Sequence, residues 1–418
     1  MHSLTATRET FGGIPGWSRA GFYLLAAGSV AIFLHGIRRR FRLWRQGRPI
    51  AARDILAGNL RTIGRRLRPG LRRLLVEGLG QKRVRGHGAA GPAHILLFSG
   101  FMMLLLGTTL LEVDHVASAI SPRLHFQHGL YYFVYKLTLD LFGLLFLAGC
   151  LFFLWNRRGR TQWQMLAGLL VIGLTGYLTE GLRIAAFPPQ GAGASCSPIG
   201  LWISSWFGHL NARSAGRLHL GVWWVHALLV FGLIASVPYT RLFHLIAGPL
   251  NLLLAPAGLG RLPPISLEEV ESTGRVGASG IRDFTQQELL SFDACMECGR
   301  CQEACPAFLA GQPLSPMKIV QDLKGLMSET LGSPARIPER ALHGQTIAAE
   351  TLWSCTACSA CVAVCPVRVD QLTLILNMRR FLVSEGGLSG TAATALRRLQ
   401  STANPWGLPA AERANWRS

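Results

Sequence analysis

Two twelve-residue cysteine runs constrain this chain more than anything else in it. The first is Cys295-Met-Glu-Cys298-Gly-Arg-Cys301-Gln-Glu-Ala-Cys305-Pro306, and the second is Cys355-Thr-Ala-Cys358-Ser-Ala-Cys361-Val-Ala-Val-Cys365-Pro366. Three thiolates at i, i+3 and i+6 can wrap one cubane within a short loop, and a fourth cysteine next to proline points away to ligate a second cluster. Each run is therefore expected to serve its own cluster three times and its neighbour's once. Cys295, Cys298, Cys301 and Cys365 are assigned to one [4Fe–4S] cluster, and Cys355, Cys358, Cys361 and Cys305 to the other. Zinc is the alternative, since C-x2-C pairs also bind it. Four ligands satisfy a zinc site, which leaves the third cysteine and the Cys-Pro of each run without a reason.

The C-x2-C-x2-C-x3-C-P spacing is that of bacterial two-cluster ferredoxins, but here a long insert, Ala307 to Ser354, separates the runs. Within it Ile319, Leu323 and Leu326 share one helical face, with Ser315-Pro316 as the start. A second helix is expected from Val369 to Glu385. Alternating β-branched stretches are scarce, so residues 286–390 read as a helical ferredoxin-type domain.

The rest of the chain reads as membrane. Half of the residues are hydrophobic, 50%, although the net charge is +20. Five apolar stretches approach the roughly 20 residues that a bilayer requires: Gly21–Ile37, Gly91–Val113, Phe133–Trp155, Trp163–Leu182 and Leu218–Thr240. The first precedes Arg38-Arg39-Arg40 rather than a small-residue cleavage site, which favours a retained anchor over a secretory signal. The expected fold is all-α: a five-helix transmembrane bundle in residues 1–245, a linker at 246–285, the ferredoxin domain, and a C-terminal tail at 391–418 that docks a partner.

Charge sets the expected orientation. The loop 38–90 carries Arg38 to Arg48 and then Arg61, Arg65, Arg66, Arg68, Arg72, Arg73, Lys82, Arg83 and Arg85, whereas the loop after the second span has only Arg123. Positive-inside placement puts the N-terminus outside and the cysteine runs in the cytoplasm, the reducing compartment that suits thiols. The expected location is an inner membrane of bacterial type. Attraction to anionic headgroups accounts for the basic loop, so no nucleic-acid partner is inferred. Residues 53–77 are expected to form a surface-lying amphipathic helix broken at Pro69. Cys150 and Cys196 are read as free.

Ionisable residues within membrane spans usually carry function. His94 opens the second span, His226 lies within the fifth and His244 at its cytoplasmic end. Two histidines from facing helices can hold a b-type haem, and His94 with His244 is the expected inner pair. A second haem would use His226 with His115, or His115 with His219. His125 and His128 are read as surface residues. Asp140, one turn after Lys136, and Glu180 with Arg183 lie toward the outer face. Local ion pairs explain them in one reading; in the other, Asp140, Glu180 and Arg183 serve a quinone site.

Five spans with histidines in the second and fifth, N-terminus outside, resemble the cytochrome b gamma subunit of respiratory nitrate reductase. His226 and His244 look like that family's two fifth-span ligands and His94 like one of its second-span ligands. The other second-span ligand is missing where Thr108 and Thr109 occur. The whole chain more closely resembles fused membrane proteins related to heterodisulfide reductase, including membrane electron-transfer-flavoprotein:quinone oxidoreductases. Ile14-Pro15-Gly16-Trp17, Lys136 to Gly143, Thr179-Glu180-Gly181-Leu182-Arg183, Trp223 to His244, Phe284 to Ser315 and Asn404-Pro405-Trp406-Gly407 carry this likeness. In those relatives a cysteine-rich domain with paired CCG signatures follows; here there is no Cys-Cys pair before Ser418, so that domain is expected as a separate subunit. The resemblance implies a quinone in the membrane, a flavoprotein or CCG-domain subunit inside, and a hetero-oligomeric complex.

The expectation is a membrane electron-transfer subunit that links a cytoplasmic oxidoreductase to the quinone pool through two [4Fe–4S] clusters and one or two haems b. The alternative is a haem-free iron–sulfur anchor for a soluble redox enzyme.

Overall fold

The computed structural model describes residues 11–49, 60–156, 160–188, 197–256, 258–260, 264–265, 267–274, 276–332 and 341–417. Among these residues the chain is helical, without a named strand. Two isolated bridges, Arg48 with Thr285 and His343 with Ile347, are its β-like pairings. Helices α1 (Gly16–Trp44), α2 (Leu60–Arg73), α3 (Ala90–Ile120), α4 (Gly129–Asn156), α5 (Arg160–Ala186), α6 (Pro198–Ser205) and α7 (Ala212–Ser236) are followed by α8 (His244–Leu254), α9 (Gln286–Ala294), α10 (Pro316–Gly332), α11 (Gln371–Ser384) and α12 (Gly390–Thr402). Shorter turns of helix join them.

The chain forms two compact units. The first comprises Met1–Ile37 and Gln81–Leu242, and the second Arg38–Gly80 and Phe243–Ser418. The first unit holds α3 to α7 and most of α1. Among the described residues, five helices have the length and apolar composition to cross a membrane. Their outer faces are apolar as well: Leu24, Leu34, Leu105 and Leu151 are all exposed, as lipid-facing residues should be.

In lipid, helices associate through close packing rather than a hydrophobic difference, and small residues permit it. A Cβ on Gly100 would stand 2.6 Å from the Cβ of Phe146, and one on Gly149 would stand 2.7 Å from the Leu97 backbone nitrogen. α3 and α4 can thus meet only with glycine at these points. Tyr135 Oη, on α4, donates to the Gly107 carbonyl on α3 at 2.8 Å. Ser29 Oγ likewise donates to the Phe231 carbonyl at 2.8 Å, and Trp224 Nε1 to Ser18 Oγ at 2.8 Å, tying α1 to α7.

The second unit departs from the expected boundaries. Residues 38–80, read with the membrane domain, pack within the unit that holds the cysteine runs. The end of α1 buries Leu43 and Trp44 there. Gln46 Nε2 donates to the Leu331 carbonyl at 3.2 Å, Arg48 N to the Phe284 carbonyl at 2.9 Å, and Gln286 N to the Arg48 carbonyl at 2.9 Å. The basic segment is itself largely helical: α2 runs through Pro69 and continues as a π-helical turn, Leu74–Leu79. At Gly70, just past the proline, a side chain would collide with the Leu253 backbone of α8, so the two helices touch where the sequence suggested a break. Residues 53–59 of the expected amphipathic helix lie outside the described residues.

The stretch 246–285, read as a linker, also carries structure. Pro238 ends the fifth span near Ser236, and His244 opens the separate helix α8 rather than closing the span. The fully buried Asn251 of α8 donates to the Val367 carbonyl at 2.7 Å and accepts from Gln287 Nε2 at 2.9 Å. Around it, α10 buries Ile319, Leu323 and Leu326 as its period implies. A Thr285–Glu288 capping box starts α9, and Asp370 caps α11 by accepting from Thr373 N at 3.1 Å.

Candidate functional site

The two cysteine runs fold as repeats of one another. In the first, Glu297 and Gly299 have φ of 57° and 82°; in the second, the equivalent Ala357 and Ser359 have 56° and 62°. Gly299 and Ser359 then open short helices, Arg300–Glu303 and Ala360–Val364, that place the third cysteine of each run. Cys305 and Cys365 are extended, with ψ of 115° and 118°, so each leaves its own loop just before proline. The left-handed residue two positions on turns its N–H back to the first sulfur, Ala357 N to Cys355 Sγ at 3.4 Å and Glu297 N to Cys295, a use of backbone dipoles found around anions and iron–sulfur centres.

The departing cysteines cross over. Cys295, Cys298, Cys301 and Cys365 line one small cavity, together with Met296, Gly299, Arg300, Met317, Pro366, Val367 and Gln371. In the other group Cys361 lies within electrostatic reach of Cys355, Cys305 and Cys358. The structure therefore brings together the two sets expected from the spacing, each with one member from the distant run. Burial pushes the Cys365 thiol up to about 12, against the N–H of Val369, which donates to its Sγ at 3.3 Å. Burial, with Cys355 adding repulsion, raises Cys361 to about 12 as well. Such thiols cannot ionise together unless positive charge arrives with them, and a metal cluster supplies it. Soft sulfur donors, an apolar lining and inward N–H groups fit an iron–sulfur centre.

The two sites are embedded differently. Two residues before Cys295, the carboxylate of Asp293 is fully buried. It accepts from Trp44 Nε1 at 2.9 Å and Arg40 Nη1 at 3.2 Å, with Lys324 Nζ at 3.6 Å. Three residues after Cys365, Arg368 forms a two-pronged pair with Glu77 of the π-helical turn, both contacts 2.7 Å. Beside the second run, Arg379 Nε donates to the Leu352 carbonyl at 2.8 Å, its Nη2 donates to the Cys355 carbonyl, and the guanidinium lies 5.1 Å from the Trp353 ring centroid. Cys358 is exposed and Cys298 partly so.

In the first unit, α7 turns two histidines toward α5. Thr175 Oγ1 donates to the Val171 carbonyl at 2.8 Å, which leaves it an acceptor for His226 Nδ1 at 3.0 Å. His219 Nδ1 donates to the Thr179 carbonyl at 3.2 Å. Each imidazole thus commits its Nδ1 to α5, which fixes the orientation of its ring. His226 has room because Gly176 faces it: a Cβ there would stand 3.3 Å from Cε1. His94 sits among Phe98 and Phe153, and His115 against Phe11, with ring centroids 5.1 Å apart. His94 belongs to the first unit and His244 to the second. His125, read as a surface residue, pairs through Nδ1 with the buried Asp114 at 2.9 Å.

The acidic candidates converge: the local Glu180–Arg183 pair forms as expected, while Lys136 reaches across to another helix. Lys136 Nζ crosses to Glu180 Oε1 at 2.6 Å instead of pairing with Asp140. Arg183 closes on the same carboxylate at 2.8 and 3.0 Å. Asp140 instead accepts from Ile199 N at 2.8 Å, capping α6, and its carbonyl accepts from Tyr177 Oη. Cys150 is fully buried on α4, and Cys196 lies outside the described residues. Thr175, Asp293 and Asn251 matter to these sites yet gave no signal in the sequence, because each acts on a partner remote in the chain.

Residues 291–369 match the 4Fe-4S dicluster domain family. The chain is 29% identical to the EtfAB:quinone oxidoreductase of Syntrophomonas wolfei, over 94% of this chain and 59% of that protein. It is 31% identical to a protein of Chromohalobacter salexigens named as a probable membrane-anchored ferredoxin, over 94% of this chain and 57% of that one. A heterodisulfide reductase-like protein of Archaeoglobus profundus is 31% identical over 32% of this chain and 60% of its own length. The chain thus spans less than two thirds of the relatives it matches. No solved structure matches it. The family match covers the stretch that holds the cysteine runs, and among the described residues five helices of bilayer length accompany it.

Proposed function

We propose that this protein passes electrons between a cytoplasmic oxidoreductase and the membrane quinone pool through two [4Fe–4S] clusters and haem b. The crossed grouping of the eight cysteines, in a chain that also has five helices of bilayer length, carries this reading. Cys295, Cys298, Cys301 and Cys365 would hold one cluster, and Cys355, Cys358, Cys361 and Cys305 the other. His94, His226 and His244 are the proposed haem ligands, with His115 and His219 as secondary candidates. Clusters and haem, when bound, supply one-electron carriage; the chain's residues position them and exclude water. Asp140, Glu180 and Arg183 are proposed for the quinone, where a carboxylate beside two cations can hold or release a proton. By the arginine bias the N-terminus lies outside and the cysteine runs face the cytoplasm.

Likeness to an EtfAB:quinone oxidoreductase supports a flavoprotein as the soluble partner, and likeness to a heterodisulfide reductase subunit supports a hetero-oligomeric complex, in which a CCG-domain subunit is the alternative partner. The tail from residue 391, with Leu396, Leu399 and Trp406 exposed, is the proposed docking segment. The likeness to a membrane-anchored ferredoxin favours a second reading, a haem-free anchor. A reduced-minus-oxidised optical spectrum of the purified protein, with quinol as reductant, separates the two. Quinol-reducible b-type haem is the expected result; iron and sulfide without haem would leave the anchor.

A further inference from the structure

Gln371 opens α11 and is 2% exposed. It lines the cavity that also holds Cys295, Cys298, Cys301 and Cys365, and its Oε1 has no hydrogen-bond partner among the described residues. The buried carboxamide is therefore unsatisfied by the protein on the side of a sulfur-lined space. Around it the wall is largely apolar: Met296, Met317, Pro366 and Val367. A buried amide in such a place is costly unless something in the cavity completes it. Amide oxygen and nitrogen exchange places by a half-turn of the side chain. The sulfurs of an iron–sulfur cluster accept hydrogen bonds, so the NH2 group is the end that suits them.

We propose that the Gln371 side-chain amide donates a hydrogen bond to a sulfur of the cluster held by Cys295, Cys298, Cys301 and Cys365, and so raises that cluster's reduction potential. This rests on the cluster assignment above. Reduction adds negative charge to the cluster, and a donor to its sulfurs stabilises the reduced form more than the oxidised one. The second cluster gains nothing comparable at the matching place in the repeat: six residues after Cys365 stands Gln371, whereas six residues after Cys305 stands Gly311, which has no side chain. Gln371 is thus one residue in which two sites whose loops fold alike differ.

The test is an EPR-monitored redox titration of the full chain and of Gln371→Leu, with iron and sulfide measured on both. One cluster should become harder to reduce by about tenfold in equilibrium constant, a shift of ~59 mV for one electron, while the other stays in place. Unchanged potentials for both clusters in a fully loaded variant overturn the inference, as does an equal shift of both. Gln371→Met keeps the side-chain length without the donor and gives the same readout if leucine does not fold. Parent protein lacking iron–sulfur signals would overturn the cluster assignment itself, and the inference with it; parent protein with two clusters isolates the question to Gln371.

Discussion

The two cysteine runs have the same backbone and different surroundings. Both place left-handed residues two and four positions after the first cysteine, and both send the fourth cysteine across to the other site. Two residues before the first cysteine, however, one run has Asp293, bound to Trp44 and Arg40, and the other has Trp353, covered by Arg379. The first run is thereby fastened to the end of α1, whereas the second opens to solvent through the exposed Cys358. Spacing along the chain thus dictates how a loop wraps its cluster. What the loop is attached to, and which charges surround it, is decided by residues far away in sequence, and in these the two sites differ.

The crossing is the easiest part to break. Cys305→Ala should remove a whole cluster, and the lost one should be that of Cys355, Cys358 and Cys361, the distant run. Iron and acid-labile sulfide should fall by about half, and EPR of the reduced protein should retain the signal of the cluster beside Cys295. Loss of that nearer signal instead would mean that each run ligates its own cluster completely.

How much of this was legible in the sequence follows from the distance over which each determinant acts. The buried face of α10, the Ser315-Pro316 start and the five spans are local or periodic, and they stand where the residues indicate. The stretch 246–285 reads as a linker in the sequence, yet Asn251 anchors α8 to the Val367 carbonyl, 116 residues on. The Lys136–Glu180 pair spans two helices and displaces the one-turn Lys136–Asp140 pair that proximity along the chain suggests. Residues 38–48 read as a positive-inside signal, a property of the side chains in bulk. Their individual partners, Asp293 above all, depend on packing that charge counts do not contain.

Asp293→Ala should give the next largest effect. The carboxylate is fully buried and accepts from Trp44 Nε1 and the partly exposed Arg40, and removing it leaves the buried indole N–H without its acceptor, at about 1–3 kcal/mol. Thermal unfolding in detergent should shift down accordingly. The second-run counterpart Trp353→Leu, which removes no ion pair, should shift it less. Equal shifts would mean that attachment to α1 contributes nothing specific to the first run.

The smallest effect distinguishes charge from hydrogen bonding at the second run. Arg379 holds the Leu352 and Cys355 carbonyls and places positive charge beside Cys355. A nearby cation favours the reduced, more negative cluster by on the order of 1 kcal/mol at partly exposed sites, roughly fivefold in the reduction equilibrium. Arg379→Met should lower the potential of the second cluster by that amount and leave the first unchanged. Arg379→Lys keeps the charge but cannot reproduce the planar fork. It should therefore restore most of the potential while leaving the loop less stable. If lysine fails to restore the potential although the cluster is fully loaded, the hydrogen bonds to the loop carbonyls, and not the charge, distinguish the second site from the first.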